Sequence, residues 1–187
     1  MDTGLKEVVA ETAGDRAASG GDEFSHLFES GFAETEAGTG DPNRGDRIAA
    51  VIALNLTSAL YGCRRVAPLL RAQGSGTIVN ISSSVAHHAW PTWGIYGAAK
   101  AGLNQFAKSL YLELRPHGVR VTTISPSWGA TEFTDAAGLG SRDPATLSQC
   151  IQPSDIGMIV TGVCTLPPHL CVQETILWPM VQEVNPL

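Results

Sequence analysis

The pattern of apolar and polar positions along the chain changes near residue 46. Beyond that point, apolar side chains recur every three or four residues in three stretches, which predicts helices over Arg47–Ala72, Gly94–Arg115 and Pro153–Leu166. Pro68 is expected to bend the first helix or to mark a second turn, and Ser154 is expected to cap the third helix.

Short runs rich in β-branched residues alternate with these helices and predict strands over Thr77–Ser82, Val119–Ile124 and Glu174–Trp178. Two loops, Ser83–Pro91 and Ser125–Arg142, follow the first two strands. The order α-β-α-β-α-β is typical of parallel strands joined by right-handed crossovers. The predicted fold class from residue 46 onward is therefore α/β, with helices packed on a parallel sheet.

Residues 1–45 have a different composition, with many Gly, Ala, Glu, Asp and Thr residues and few large apolar ones. A short helix over Leu5–Ala13 and a loop over Thr35–Gly45 are expected there, and no strand-like apolar run occurs. The sequence therefore predicts two parts: an acidic, weakly structured segment over 1–45 and a folded catalytic part over 46–187.

The charge of the chain is unevenly distributed. Residues 1–47 contain eleven acidic and four basic side chains, a net charge of −7, while residues 48–187 carry +1, so the whole chain carries −6. Without a basic stripe, nucleic-acid binding is not expected. No apolar run approaches the roughly 20 residues that span a bilayer, and the N-terminus lacks an apolar leader, so a cytoplasmic protein is expected. The four cysteines show no C-x-x-C spacing and are expected to be free, buried thiols.

Tyr96 and Lys100 belong to the most informative local motif, Tyr96-Gly-Ala-Ala-Lys100. On a helix, positions i and i+4 lie on one face. A lysine ammonium beside a tyrosine hydroxyl stabilises the phenolate, so it is expected to lower the tyrosine pKa from about 10 toward the working pH. Such a tyrosine donates a proton to a carbonyl or takes one from an alcohol. The same spacing also arises by accident on amphipathic helices, so the neighbouring residues are needed to tell a catalytic pair from a chance one.

Ser83 supplies that context, because it lies thirteen residues before Tyr96 at the end of a predicted strand. In open parallel sheets, ligands bind outside the carboxyl ends of the strands. A serine at this point is expected to hold a substrate oxygen beside the tyrosine. The serines on either side are interpreted as structural. The segment Ser125–Thr131 follows the next strand, where backbone groups and the Thr131 side chain are expected to clasp a carboxamide.

Four segments, in this order and spacing, resemble the short-chain dehydrogenase/reductase family: Asn55-Leu-Thr-Ser, Gly76-Thr-Ile-Val-Asn-Ile-Ser-Ser-Ser, Tyr96-Gly-Ala-Ala-Lys-Ala-Gly-Leu and Val119-Arg-Val-Thr-Thr-Ile-Ser-Pro. The resemblance covers about residues 46–187. It implies a partial Rossmann-like, doubly wound parallel sheet with helices on both faces. It also implies an oxidoreductase that interconverts an alcohol and a carbonyl compound, with a small molecule as its substrate and no metal ion.

The resemblance assigns roles to four residues. Tyr96 is implied as the general acid/base and Ser83 as the residue that polarises the substrate. Lys100 is implied to lower the tyrosine pKa and to hydrogen-bond the nicotinamide ribose, so that Tyr96 and Lys100 both contact the cofactor. Asn55 is implied to help place a proton-relay water near Lys100.

Pro126, Gly129 and Thr131 match the family's P-G-x-x-x-T segment beside the nicotinamide, with Ser127 in place of the usual glycine. The implied cofactor is NADP or NAD. The tail segments Thr165-Leu-Pro-Pro and Ile176-Leu-Trp-Pro-Met resemble the branch that contains NADP-dependent serine and 3-hydroxy-acid dehydrogenases, which favours NADP. The two long helices pair with a second subunit in the family, so a homodimer or homotetramer is expected.

The family's glycine-rich turn, T-G-x-x-x-G-x-G, does not occur at any of the twenty glycines. That turn lets the backbone approach a pyrophosphate at a helix N-terminus. The first strands are therefore expected to be missing or irregular, with one flank of the sheet unpaired and cofactor affinity reduced. A second function stays open for this reason: an inactive, cofactor-free remnant that acts as a binding or subunit-interaction module.

Several ring side chains precede the Tyr96 helix. Trp90 and Trp93 flank Pro91, and two interpretations stay open for them: packing at a loop or subunit contact, or a wall of the substrate site. The adjacent pair His87-His88 is interpreted as loop residues at the substrate mouth rather than as metal ligands, since no carboxylate or cysteine has matching spacing. Leu139–Cys150 occupies the position of the family's variable substrate loop.

Overall fold

The computed structural model describes residues 8–10, 44–91, 93–131, 133 and 143–183. Its strands are β1 (Val8–Ala10), β2 (Gly76–Ile81), β3 (Val119–Pro126) and β4 (Glu174–Leu177). Its helices are α1 (Arg44–Ile52), a π-helical turn (Ala53–Thr57), α2 (Ser58–Gln73), α3 (Gly94–Leu114), α4 (Pro144–Leu147) and α5 (Pro153–Cys164). Short 3₁₀ turns lie at Ser84–Ala86 and Arg115–His117.

The four strands form one parallel sheet in the order β1-β2-β3-β4. In its register, Ile78 lies beside Val121, and Thr123 lies beside Glu174. The three strands predicted after residue 46 are all present, within two residues of their expected limits. The prediction of an α/β fold with a parallel sheet is confirmed.

The strand β1 corrects two expectations about the N-terminal segment. Val8–Ala10 is a strand parallel to β2, where a helix over Leu5–Ala13 was expected, and it pairs the flank of β2 that was expected to be unpaired. Two consecutive valines favour extended backbone, and an open edge of β2 would leave a row of backbone groups without partners. Most of the predicted loop Thr35–Gly45 lies outside the described residues, and its last two residues belong to α1.

The long helices follow the predicted pattern with local differences. Pro68 does not end α2, which continues to Gln73. The helical geometry changes earlier, at the π-helical turn over Ala53–Thr57. At the start of α5, the N-cap residue is Gln152 rather than Ser154, and the Asp155 carboxylate accepts the Gln152 N–H at 2.8 Å. This is a capping-box contact, in which a side chain of the first turn satisfies a backbone donor at the helix end.

Both faces of the sheet are buried under helices, as the doubly wound fold requires. Side chains of α2 and α3 cover one face: Cys63, Leu70, Ala107, Leu110 and Leu114, against Ile78, Val119 and Val121. On the other face, Val163 and Cys164 of α5 pack on Val79 and Ile124. Cys63, Cys150 and Cys164 are buried free thiols, as expected, whereas Cys171 is only half-buried.

The connections through α3 and α5 differ in hand. Because β2, β3 and β4 are neighbours in chain order, both connections step across the sheet in the same direction. Their helices nevertheless cover opposite faces, α3 over Ile78 and Val121, and α5 over Val79 and Ile124. Two such connections have opposite hands, so the prediction of right-handed crossovers throughout is wrong for one of them.

Arg120 joins the sheet to the end of α5. Its guanidinium donates to the hydroxyl of Thr77 at 3.0 Å and to the carbonyls of Leu166 and Cys164 at 2.8 Å each. Helix C-termini carry carbonyls without intrahelical partners, and a cation there also meets the negative end of the helix dipole. Within the described ranges, no helix is both long enough and apolar enough to cross a membrane.

Candidate active site

Ser83, Tyr96 and Lys100 meet at the carboxyl edge of the sheet. Ser83 lies two residues beyond β2 and caps the 3₁₀ turn Ser84–Ala86, where its hydroxyl accepts the Val85 N–H at 3.4 Å. Tyr96 lies in the first turn of α3, which runs close to that turn. A Cβ added at Gly97 would lie 3.3 Å from the Val85 carbonyl, so the small residue after Tyr96 permits this close approach.

The side chains of Ser83 and Tyr96 share a hydrogen bond, which lowers the tyrosine pKa. Burial has the opposite and larger effect, because it disfavours the charged phenolate. The pKa of Tyr96 is therefore raised to about 12. The structure thus brings together the predicted substrate-polarising serine and the predicted acid/base, and it holds the tyrosine in its protonated form over the neutral range.

Lys100 is buried and hydrogen-bonds the end of β2. Its side chain is 4% exposed, and its Nζ donates to the carbonyl of Ile81 at 3.1 Å. The same nitrogen lies 5.6 Å from the centroid of the Tyr96 ring. The net pKa of Tyr96 is raised rather than lowered, because burial is the largest effect on it, and the role of Lys100 in lowering that pKa stays a prediction.

Asn55 lies in the π-helical turn and is 7% exposed. Its amide donates to the Val51 carbonyl at 3.1 Å, and the hydroxyl of Ser58 donates to the Leu54 carbonyl. Both side chains thus satisfy carbonyls one turn back, where the wider turn distorts the regular ladder. Single π turns inside α-helices are frequent at functional sites. The role of Asn55 in placing a water near Lys100 stays a prediction.

The segment after β3 is held by the protein itself. The N–H groups of Ser127, Trp128 and Ala130 donate to the Leu177 carbonyl, the Gln182 side chain and the Ile151 carbonyl, respectively. Ser127 stands where the family has glycine, and its hydroxyl accepts a 3.0 Å hydrogen bond from the buried Ser84 hydroxyl. The departure therefore has a local consequence, since a side-chain bond ties this segment to the turn beside Ser83.

A polar cluster that the sequence did not predict lies farther along α3. The Asn104 amide nitrogen lies 2.9 Å from both His87 Nε2 and Glu174 Oε1, and those two atoms are 2.8 Å apart. Lys108 Nζ lies 3.4 Å from the other oxygen of Glu174. Lys100, Asn104 and Lys108 share the i, i+4 spacing of one helix face, which was the only signal for this cluster in the sequence. His87 therefore contacts α3 and β4, and its location at the substrate mouth stays a prediction.

Aromatic rings surround Tyr96. The ring centroids of Trp93 and Phe133 lie 5.7 and 5.9 Å from that of Tyr96, and 6.3 Å from each other. His88, by contrast, packs edge-on against Trp90 and Trp178 in a second group. The two tryptophans considered together in the sequence therefore belong to different clusters, and it is Trp93 that contacts the predicted acid/base.

The nicotinamide end of a dinucleotide needs donors for its ribose hydroxyls and for its carboxamide. Tyr96, Lys100 and Thr131 carry a phenol, an ammonium and an alcohol at this edge of the sheet. Thr131 Oγ1 accepts the Phe133 N–H at 3.3 Å, and its own proton remains for a carboxamide oxygen. The part of the chain that the structure describes contains no glycine-rich turn for the pyrophosphate, so the fit concerns the nicotinamide end.

Comparison with known proteins gives one family match and many relatives. The family model described as short chain dehydrogenase matches residues 34–140. A serine 3-dehydrogenase of Agrobacterium fabrum is 33% identical over 133 residues, which cover 69% of this chain and 53% of that protein. An NADP-dependent 3-hydroxy acid dehydrogenase of Salmonella typhimurium is 33% identical over 140 residues, 71% of this chain and 56% of that protein.

Solved structures agree with these relatives in fold. A serine dehydrogenase in its closed form, complexed with NADP+, superposes with a TM-score of 0.68 at 29% identity, covering 76% of this chain and 60% of that chain. A serine dehydrogenase from Escherichia coli superposes with a TM-score of 0.61 at 26% identity, covering 75% of this chain and 56% of that chain. The chain thus spans about half the length of the curated relatives that it matches.

Proposed function

The chain belongs to the short-chain dehydrogenase family, and from that premise we propose that it is a nicotinamide-dependent oxidoreductase that interconverts an alcohol and a carbonyl compound. The observation that carries the proposal is the hydrogen bond between Ser83 and Tyr96 at the carboxyl edge of the sheet, one helical turn from Lys100. Ligands of open parallel sheets bind at this edge.

In the direction of reduction, the Ser83 hydroxyl donates a hydrogen bond to the carbonyl oxygen of the substrate. Tyr96 then donates its proton to the same oxygen as negative charge develops there, which is general acid catalysis. A bound reduced nicotinamide supplies the hydride to the carbonyl carbon. The raised pKa suits this direction, because it keeps Tyr96 protonated and ready to act as an acid.

Lys100 and Asn55 complete the proposed site. The Lys100 ammonium, anchored on the Ile81 carbonyl, orients the ribose and relays a proton from solvent back to Tyr96. Asn55 supports that proton path from the π-helical turn. Pro126, Gly129 and Thr131 border the carboxamide of the cofactor. NADP is the proposed dinucleotide, supported by a relative named as NADP-dependent and a structural neighbour complexed with NADP+.

A second copy of this chain is the proposed partner of α2 and α3. These helices enclose an open groove of about 600 Å³ on the molecular surface. Tyr61, Leu69 and Leu112 are each about two-thirds exposed on them. Exposed apolar surface of this kind marks an interaction site, and the family resemblance indicates which helices pair. A homodimer is the smallest assembly that covers the groove.

Two measurements on the full chain test the oxidoreductase proposal. Calorimetric titration with NADPH and NADH is expected to give a micromolar dissociation constant for NADPH. An assay at 340 nm with a panel of alcohols, hydroxy acids and ketones is expected to show turnover. If neither dinucleotide binds and no substrate turns over, the proposal is overturned, and the cofactor-free binding module becomes the better description.

A further inference from the structure

The aromatic triangle Trp93, Tyr96 and Phe133 joins two separate elements at the reacting hydroxyl. Trp93 is the N-cap residue of α3, three positions before Tyr96, so the helix places both on one side. Phe133 comes from the segment that follows β3. The rings of Trp93 and Tyr96 meet at 63°, and the ring of Phe133 is tilted by about 40° to each of them. This is the edge-to-face and tilted packing that aromatic rings prefer.

The aromatic triangle lies next to the Ser83–Tyr96 hydrogen bond, and this location indicates which part of a substrate it contacts. The hydroxyls of Ser83 and Tyr96 fix the place of a substrate oxygen, as proposed above. The rings of Trp93 and Phe133 lie within 6 Å of the Tyr96 ring, within reach of a substituent on the carbon that bears this oxygen. Trp93, Tyr96 and Phe133 are all half-buried, so each side chain has some exposed surface.

Aromatic surfaces favour one kind of substituent over another. A flat apolar group gains contact area and ring-to-ring attraction on such a wall. A carboxylate loses hydration there and receives no hydrogen bond from Trp93 or Phe133 ring faces. The ammonium of Lys100 is directed to the Ile81 carbonyl at 3.1 Å, at the end of β2.

From this geometry we infer that the substrate is a ketone, or the matching secondary alcohol, with an aromatic ring on the reacting carbon, and that Trp93 and Phe133 select it. The inference rests on the proposed function, which it makes more specific. It separates this chain from its relatives, whose names are serine 3-dehydrogenase and 3-hydroxy acid dehydrogenase.

The reaction balances as a two-electron reduction. The carbonyl carbon gains a hydride from the reduced nicotinamide, so a C–H bond forms while the C=O π bond breaks. The oxygen gains the Tyr96 proton, which gives the secondary alcohol and oxidised nicotinamide. The Tyr96 phenolate then recovers a proton from solvent, and the oxidation of an aryl alcohol is the reverse sequence.

The test compares two methyl ketones, acetophenone with an aromatic ring and acetoacetate with a carboxylate. Ligand-observed NMR on the full chain measures binding of each ketone without any need for turnover. Acetophenone is expected to bind at least tenfold more tightly than acetoacetate. Trp93→Ala is expected to weaken acetophenone binding about tenfold, the size of one good aromatic contact with its buried area, and to leave acetoacetate unchanged. Trp93→Phe is expected to retain most of the affinity.

The matched control is Trp178→Leu, which removes an indole from the second aromatic group and is expected to change neither ketone's affinity. Circular dichroism verifies that each variant folds, and Phe133→Leu replaces Trp93→Ala if the latter does not. Equal or tighter binding of acetoacetate overturns the inference, as does acetophenone affinity that is undetectable or insensitive to both Trp93 and Phe133. Turnover that prefers substrates with a carboxylate would contradict this inference and leave the proposed function in place. Selective binding of the aromatic ketone without any turnover would contradict the proposed function alone.

Discussion

Tyr96 and Lys100 share one face of α3, and each has a polar contact with the end of the preceding strand or the turn after it. The tyrosine hydroxyl is paired with Ser83, and the lysine ammonium with the Ile81 carbonyl. The pKa of Tyr96 therefore reflects burial more than the nearby positive charge. At neutral pH the hydroxyl is therefore protonated, as the proposed general acid requires.

Spectrophotometric titration of the phenol tests this claim. The tyrosinate absorbance at 295 nm that is present in the native chain and absent from Tyr96→Phe is expected to rise with a midpoint near pH 12. Since the folded-state pKa lies above the ordinary value of 10, the stability that this group contributes is complete below pH 10 and is lost as the pH rises toward 12. A midpoint at or below pH 10 would mean that the positive charge of Lys100, and not burial, determines the pKa of Tyr96.

The sequence predicted those parts of the candidate site that depend on the spacing of residues within one helix or at the end of one strand. The i, i+4 spacing places Tyr96 and Lys100 on one face, and a strand end places Ser83 beside them. The actual acceptor of Lys100 and the contact of Phe133 with Tyr96 depend on how separate elements pack. The cluster of His87, Asn104 and Glu174 joins three elements, and no periodicity of one segment reports it.

At the scale of elements, the left-handed glycines after α2 and α3 determine where the strands begin. Gly74 and Gly118 both follow a helical segment and have φ of +73° and +71°. They also touch, since a Cβ added at Gly118 would lie 2.5 Å from the Gly74 carbonyl, whereas one added at Gly74 meets nothing within 4 Å. The two helix ends are thereby fixed side by side, and β2 and β3 start in register.

These two glycines provide a matched pair of variants. Gly74→Ala introduces only the strain of a side chain in the left-handed region and is expected to lower the free energy of unfolding by about 1 kcal/mol. Gly118→Ala adds a backbone clash and is expected to cost about 2–4 kcal/mol. Urea unfolding of both variants measures the difference. Equal losses for the two substitutions would contradict the close approach of these helix ends.

The element pattern also shows where local signals fail. The strands β2 to β4 and the helices α2, α3 and α5 follow their periodicities closely. β1 was predicted as part of a helix, because a three-residue strand is too short to show a period and gains its stability from pairing with β2. The hand of the α5 connection likewise depends on which face of the sheet is uncovered, which no single segment records.

At the scale of the whole molecule, α2 and α3 cover one face of the sheet, and the outer side of these two helices has an open groove. Tyr96 and Lys100 lie on α3, and Asn55 lies in the π-helical turn that leads into α2. The proposed pairing of this surface with a second copy would therefore stiffen the elements of the candidate site. The division of the chain into an acidic segment over 1–45 and a catalytic part over 46–187 stays a prediction.

Sedimentation velocity tests the proposed dimer. The native chain is expected to sediment as a dimer at micromolar concentration, and Tyr61→Glu, in the lining of the groove, is expected to shift it to a monomer. Met158→Glu on α5 is the control, because this side chain is exposed to the same 66% on the opposite side of the sheet. A native chain that sediments as a monomer, or a dimer that Tyr61→Glu leaves intact, would exclude this surface.

The central claim is that Tyr96 transfers the proton in a nicotinamide-dependent reduction. Its most direct test is kcat/KM for ketone reduction with NADPH, measured for the native chain and for Tyr96→Phe, which keeps the ring and its packing but removes the hydroxyl. General acid catalysis contributes about 10²- to 10⁴-fold, so a loss of at least 100-fold is expected. Reduction by Tyr96→Phe at the native rate would contradict the account.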